Sequence, residues 1–249
     1  MTDPVEFSDD PGGFAARRPE PAVSEDEDPV YAVGIGPGNP EYLTPRGARA
    51  IREADVVVGF ETVVEFVAEE ITGEALTCGY KDEPQVLAEF ADRIADGASG
   101  AAVAMGDPNH SGYQFVGKVE SAVDAPVRVV PGISSIQIAA SRARTPMEQT
   151  TFVTLHKSGP IEADIERLER DVDDRNLLVL PRPFDWMPER IARRLLESGA
   201  SDHPVLVCER LTHDDESITH TSLSALADDI DSNEETAFSD LSVMVVRRK

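Results

Sequence analysis

The stretch Val30-Tyr31-Ala32-Val33-Gly34-Ile35-Gly36-Pro37-Gly38-Asn39-Pro40, followed at once by Glu41-Tyr42-Leu43-Thr44-Pro45, decides the fold class. Its first part is a short apolar run rich in β-branched residues, the composition of a buried strand. Glycines and prolines end the run. Thr44 ahead of Pro45 then reads as a helix start, a hydroxyl cap followed by proline in the first turn. Strand, glycine-rich loop and helix together open an α/β unit with a parallel sheet. A dinucleotide fingerprint is excluded. Asn39 stands where a third glycine is needed, Pro37 and Pro40 lack amide hydrogens, and the helix starts only near Thr44. No Gly-Lys-Ser/Thr is present, so this is no P-loop. What remains is a stiff loop at the carboxyl end of a strand, where open α/β sheets bind ligands. Taken alone it reads equally as a tight turn.

Outward from this stretch the alternation continues. Strands are expected at Val56-Val57-Val58, 75–78, 101–105 and 127–130, with helices at 62–70, 84–96, 112–121 and 134–142. The fold class is α/β, with two α/β domains. The first, 30–145, has a mainly parallel sheet, and the pattern weakens over 143–149, which reads as a linker. The second, 146–249, has strands at 151–155, 177–180, 205–208, 217–221 and 241–246 and helices at 161–170, 188–198 and 223–230. The closely spaced strands near its end predict a mixed sheet with antiparallel pairing. Residues 1–29, rich in Pro, Gly, Asp and Glu without apolar periodicity, read as a disordered acidic tail.

Composition excludes several classes. The net charge is -24, from 47 acidic and 23 basic residues in 249, and the acids are spread along the chain. Nucleic-acid binding needs a basic face and is not expected. No apolar run is long enough to span a membrane, and the acidic start is no secretory signal. The lysines are Lys81, Lys118, Lys157 and Lys249; arginine supplies the other cations. A dispersed acidic surface stays soluble where molar salt screens charge over about 3 Å, so a highly saline cytoplasm is expected. Cys78 and Cys208 sit in or beside strand-like runs and read as reduced, mostly buried thiols.

Two further loops repeat the first one's placement. Met105-Gly106-Asp107-Pro108 follows a buried strand; Gly106 allows close approach to the backbone, and Asp107 can accept hydrogen bonds from a ligand hydroxyl or ammonium. It reads equally as an Asp-Pro turn capping the strand. Pro131-Gly132-Ile133-Ser134-Ser135 turns from strand into helix, its serines serving as N-cap or as donors to a carboxylate. Three such loops at the ends of parallel strands would converge on one sheet edge.

Their order, spacing and wording resemble the tetrapyrrole methyltransferase superfamily, which includes corrin-pathway methyltransferases and diphthine synthase. That family opens on G-x-G-P-G-[DN]-P, here Gly34 to Pro40, then Leu43-Thr44; its middle loop is Gly106-Asp107-Pro108. The wording Val130-Pro131-Gly132-Ile133-Ser134-Ser135-Ile136-Gln137 and Leu155-His156-Lys157 is most similar to the branch of cobalt-precorrin-7 C(5)-methyltransferases. Relatives often carry Leu-His-Gly-Arg where Lys157 departs. The resemblance spans about residues 30–247. Other corrin carbons, diphthine synthase and a non-enzymatic ligand-binding module of the same fold stay open as alternatives.

The resemblance implies S-adenosyl-L-methionine as methyl donor, folded in a cleft between the two domains, and no protein-bound metal. Cofactor contacts map onto Gly36, Pro37, Met105, Gly106, Asp107, His110, Ser134 and Ser135, with Leu180 and Leu211 from the second domain. Displacement at a charged sulfonium needs alignment more than acid or base, and alignment supplies about 7–11 kcal/mol. No triad is expected; His156 is the one candidate to move a proton, and reads equally as a satisfied core or surface histidine. The implied substrate is an anionic tetrapyrrole. The candidate cations for its carboxylates are Arg46, Arg49, Arg142, Arg144, Lys157 and Arg182, each of which reads equally as a solvated surface charge. A homodimer is implied, and a separate carbon-15 methyltransferase and decarboxylase is expected as a partner.

Overall fold

In the computed structural model the described residues are 3–20, 22, 28–229 and 236–249. The chain divides into two compact units, Met1–Ser134 and Ser135–Lys249. The first contains α1 (Pro11–Ala15), β1 (Val30–Gly34), α2 (Pro45–Glu53), β2 (Val56–Phe60), α3 (Glu61–Phe66), β3 (Glu74–Cys78), α4 (Glu83–Ala95), β4 (Gly100–Ala104), α5 (Tyr113–Ala122) and β5 (Val127–Val130). The expected helix start is present: Thr44 Oγ1 accepts from the Gly47 amide at 3.0 Å, with Pro45 in the first turn.

The first sheet has strand order β3-β2-β4-β1-β5, every pair parallel. Alternate side chains enter different cores, as a sheet covered on both faces requires. Val30, Ala32, Val56, Val58, Ala102 and Ala104 join one cluster with α4 and α5. Val33, Val57, Ala101 and Val103 join the other with α2 and α3. Each fully buried valine contributes about 1.5–3 kcal/mol. The strand order sets the site. From β1 the chain crosses toward the β3 edge, whereas from β4 it crosses past β1 to the opposite edge. The boundary of β1 and β4 is therefore a topological switch point, with a crevice outside their carboxyl ends.

The second unit contains α6 (Ser135–Ala143), β6 (Thr150–Thr154), α7 (Glu162–Asp171), β7 (Asn176–Leu180), α8 (Pro188–Glu197), β8 (Pro204–Glu209), β9 (Ser217–Ser222), α9 (Leu223–Asp228) and β10 (Ser242–Val246). Its order is β6-β7-β10-β8-β9, with β6 and β7 parallel and the other pairs antiparallel. The mixed sheet is as the sequence suggests. The division falls at Ser134/Ser135, ahead of the 143–149 stretch, because the apolar face of α6 packs on β7 and β10. Ile230, the expected end of the last helix, lies outside the described residues.

The N-terminal segment differs from the expected tail. Among its described residues, α1 packs on α5, Val5 and Phe7 join the first core, and Ala15 is buried. Two features explain this. A side chain at Gly117 would collide with the Pro11 carbonyl, so the bare helix face admits the backbone of α1. Glu20 then accepts from the Val129 amide of edge strand β5 at 2.7 Å, blunting that edge. Residues 1, 2, 21 and 23–27 of the expected tail lie outside the described residues. No helix among the described residues is long and apolar enough to cross a membrane.

Candidate functional site

The loops after β1 and β4 meet at the switch point through their main chains. The Gly36 amide donates to the Gly106 carbonyl at 3.2 Å, and the Gly106 amide donates back to Gly36 at 2.7 Å. The Ile35 amide donates to Ala104 at 3.0 Å. Gly36 and Gly106 have φ of +90° and +66°, the left-handed region that L side chains avoid. A Cβ at Gly34 would lie 2.6 Å from the Gly106 oxygen, 2.7 Å from the Gly132 nitrogen and 2.8 Å from Pro108 Cδ. The three glycine loops thus touch at atomic contact, as their placement at the ends of parallel strands suggests.

Asp107, buried, ties the third loop in. One carboxylate oxygen accepts from the Asn109 amide at 2.8 Å and the other from the Gly132 amide at 3.0 Å. Both oxygens are engaged within the protein, so Asp107 acts as a clamp between loops as well as capping the turn after β4. Ser134 is buried, and its Cα is the nearest atom, at 3.7 Å, to a Cβ placed on Gly106. Pro37 is buried, Met105 packs half-buried on the core of α2 and α3, His110 lies in the turn 108–112, and Ser135 opens α6. The chemistry is short and mostly main-chain: amides, carbonyls and serine hydroxyls, with side chains excluded at the glycines.

The remaining candidates lie in the second unit. Leu180 ends β7, where its carbonyl accepts from the Leu155 amide at 2.9 Å. Leu211 is buried between Arg210 and Thr212, which have φ of +45° and +75°. That strained turn is held by Glu216, which accepts from the Thr212 amide at 2.7 Å and pairs with Arg142 at 2.9 Å. The Glu216 carboxyl is held below its ordinary value, first by Arg142 and also by that amide, against desolvation. Sequence reading missed Glu216, which lies far from Arg142 along the chain. His156 is pushed below the ordinary imidazole value by desolvation, which outweighs the raising influence of Asp240 and of its hydrogen bond with the Pro181 backbone. Cys78 and Cys208 are buried and free, their thiols pushed up by desolvation to about 12 and about 11, so neither is a nucleophile.

The candidate cations divide. Arg142 is engaged with Glu216, Lys157 with Asp164 at 2.6 Å, and Arg182 with both oxygens of Asp185 at 2.7 and 2.6 Å. Arg46 lies over the Tyr31 ring at 5.1 Å. Arg49 and Arg144 are exposed and form no ion pair among the described residues. A cavity of about 700 Å³ lies within the second unit, between α7 and α8. Glu162, Glu166 and Glu189 line it beside Arg190 and Arg193, a mixed set that does not favour a polyanion. The glycine loops, with their switch-point position, are the better candidate.

The family model of tetrapyrrole (corrin/porphyrin) methylases matches residues 29–227. A relative from Methanocaldococcus jannaschii, named probable cobalt-precorrin-7 C(5)-methyltransferase, is 30% identical over 80% of this chain and 91% of its own length. Among solved structures, a cobalt precorrin-4 methyltransferase aligns with a TM-score of 0.71 at 23% identity, covering 91% of this chain and 97% of that one. A uroporphyrin-III C-methyltransferase from Thermus thermophilus, complexed with S-adenyl homocysteine, aligns with a TM-score of 0.67 at 24% identity, covering 88% of this chain and 92% of that one. At these identities the two structures speak for the fold.

Proposed function

Because the chain belongs to the tetrapyrrole (corrin/porphyrin) methylase family, we propose that it transfers a methyl group from S-adenosyl-L-methionine to carbon 5 of cobalt-precorrin-7 in cobalamin biosynthesis. Family membership makes it a tetrapyrrole methyltransferase. The choice of carbon 5 is supported by the Methanocaldococcus relative and by the wording of residues 130–137. The observation that carries the reading is the reciprocal Gly36–Gly106 bridge at the switch point, with Gly132 clamped against it by Asp107.

The donor set fits the methyl donor. With the Gly36 and Gly106 amides each bonded to the other residue's carbonyl, the neighbouring main-chain groups of these loops and the hydroxyl of Ser134 would hold the donor, and glycines with positive φ let it approach the backbone. When bound, the sulfonium supplies a methyl carbon already activated by positive charge. The chain's own part is to orient that carbon and exclude water, so rigidity of the three loops matters more than any acid or base.

The test is incubation with cobalt-precorrin-7 and methyl-labelled cofactor, read by mass spectrometry and by NMR of the labelled carbon. One added methyl, at carbon 5, with every carboxylate retained, is expected. A methyl at another carbon would move the reading within the family, and no transfer to any tetrapyrrole would overturn it. In parallel, Gly106→Val should abolish cofactor binding in calorimetry while circular dichroism stays native, because a β-branched residue cannot hold φ near +66° without strain. The same reading includes a homodimer and a saline cytoplasm, which sedimentation and a salt series of circular dichroism spectra test.

A further inference from the structure

The N-terminal segment places two arginines beside the candidate site. After α1 the chain turns at Arg17-Arg18-Pro19, and these residues with Ala16 face Asn109 and Tyr113 across a cavity of about 450 Å³. Asn109 follows Asp107-Pro108 in the loop clamped at the switch point, and its amide is held by Asp107. Tyr113 opens α5. The cavity is lined by two guanidiniums, an amide and a phenol, and by no acid, although the chain carries a net charge of -24.

The two cations are not consumed by the fold. Arg17 lies over the Phe14 ring at 5.6 Å, which orients it without neutralising it. Arg18 lowers the half-buried Glu120 carboxyl, which desolvation raises more strongly. Among the described residues neither guanidinium has an ion-pair partner. This contrasts with Arg142, Lys157 and Arg182, each already matched to an acid. The turn is also anchored on both sides. Before it, the Pro11 carbonyl occupies the space that a side chain at Gly117 would need. Lys118 lies over Phe7 at 5.3 Å and pairs with the buried Glu83 at 2.5 Å. After it, Glu20 is bonded to the Val129 amide and lies 3.7 Å from Arg128. A segment fastened at both ends presents its middle in a fixed place.

Resting on the tetrapyrrole reading, we infer that residues 11–20 are a functional strap, and that Arg17 and Arg18 with Asn109 and Tyr113 form a subsite for a peripheral carboxylate of the substrate. Guanidinium is the group suited to paired hydrogen bonds with a carboxylate, and a phenol and an amide add single donors. The subsite resolves the conflict between an acidic chain and an anionic substrate locally, by a cavity at the carboxyl edge of the first sheet whose lining holds two cations and no acid.

The test uses the full chain and a stable porphyrin polycarboxylate as probe, with its methyl ester as the uncharged control. Affinity is read by fluorescence quenching, and cofactor affinity separately by calorimetry. The double variant Arg17→Gln with Arg18→Gln should weaken the polycarboxylate by about tenfold or more, the effect of losing charge-assisted contacts. The ester and the cofactor should bind as before. Arg17→Lys with Arg18→Lys should recover part of the loss. Gly117→Leu, which keeps both arginines but pushes the strap off α5, should give the same selective loss. The proposal is overturned if the glutamine variant binds the polycarboxylate like wild type, or if it loses ester and cofactor affinity in equal measure, which would mean a purely structural strap. The tetrapyrrole reading stands or falls separately, on wild-type methyl transfer to the corrin substrate.

Discussion

The two units hold their candidate residues by opposite means. In the first, the loops after β1, β4 and β5 are joined by main-chain hydrogen bonds and by contacts too close for any side chain, with one buried carboxylate as a clamp. In the second, all the candidate cations but Arg144 are held by acids: Arg142 by Glu216, Lys157 by Asp164 and Arg182 by Asp185. A site made of backbone depends on steric fit and on left-handed glycines, so it tolerates salt and pH but not an added methyl group. A network made of charges tolerates small steric changes but answers to pH and ionic strength.

The sharpest way to break this contrast is Gly132→Ala. The added Cβ would collide with the Gly106 carbonyl oxygen and lie 2.7 Å from main-chain atoms of Gly34. Neither neighbour can rotate away, so the third loop must leave the other two and the Asp107 clamp must open. A stability loss of about 1–3 kcal/mol is expected from the overpacking, measured by urea unfolding. The larger effect should be on turnover, about a hundredfold or more, because displacing aligned groups by about 1 Å has that consequence. Wild-type turnover in this variant would mean that the three-loop contact is not the site.

The next prediction concerns Glu216→Gln. The carboxyl of Glu216 is held low by Arg142 and by the Thr212 amide. A carboxyl with a lowered folded value stabilises the protein above its unfolded value, near 4.3, and loses that contribution as pH falls through the folded value. The glutamine variant should therefore be about 1–2 kcal/mol less stable at pH 7, the low end because both side chains are partly exposed. The difference from wild type should vanish in acid. Equal stability at pH 7, or a difference that grows below pH 4, would show that the turn around Leu211 is held by something else.

What could be read in advance follows the same division. The helix start at Thr44-Pro45 and the need for glycine at 36 and 106 are local properties, written in a few adjacent residues. The mixed second sheet was legible from strands spaced too closely for helical crossovers. The insertion of β4 between β1 and β2, which creates the switch point, was not, because neighbours in a sheet are chosen by packing and not by chain order. The pairing of Arg142 with Glu216 lies beyond any local pattern. The N-terminal segment docks in an equally non-local way. Its composition lacks periodicity, and what docks it is the missing side chain of Gly117 on a distant helix. Arg182 is the instructive exception. Asp185 stands three residues on, and that proximity was a signal that its charge is engaged.

The smallest effect should come from Lys157→Met, and it sharpens the comparison by isolating one charge. Lys157 departs from the Leu-His-Gly-Arg wording that relatives often carry, standing at its glycine position, and it pairs with Asp164 at 2.6 Å with both side chains partly exposed. Such a pair contributes about 0.2–1 kcal/mol, because water and salt screen the attraction and both chains lose rotamer freedom. Methionine keeps most of the stem's apolar contact while removing the charge. Stability should therefore fall by less than about 1 kcal/mol in dilute buffer, and the difference should shrink in molar salt, where charges are screened over about 3 Å. Binding of a porphyrin polycarboxylate should be unchanged, since the ammonium is already matched to an acid. If the variant instead loses polycarboxylate affinity while keeping its stability, Asp164 is only a resting partner. Lys157 would then be handed from acid to substrate, and the second unit would share in recognising the ring.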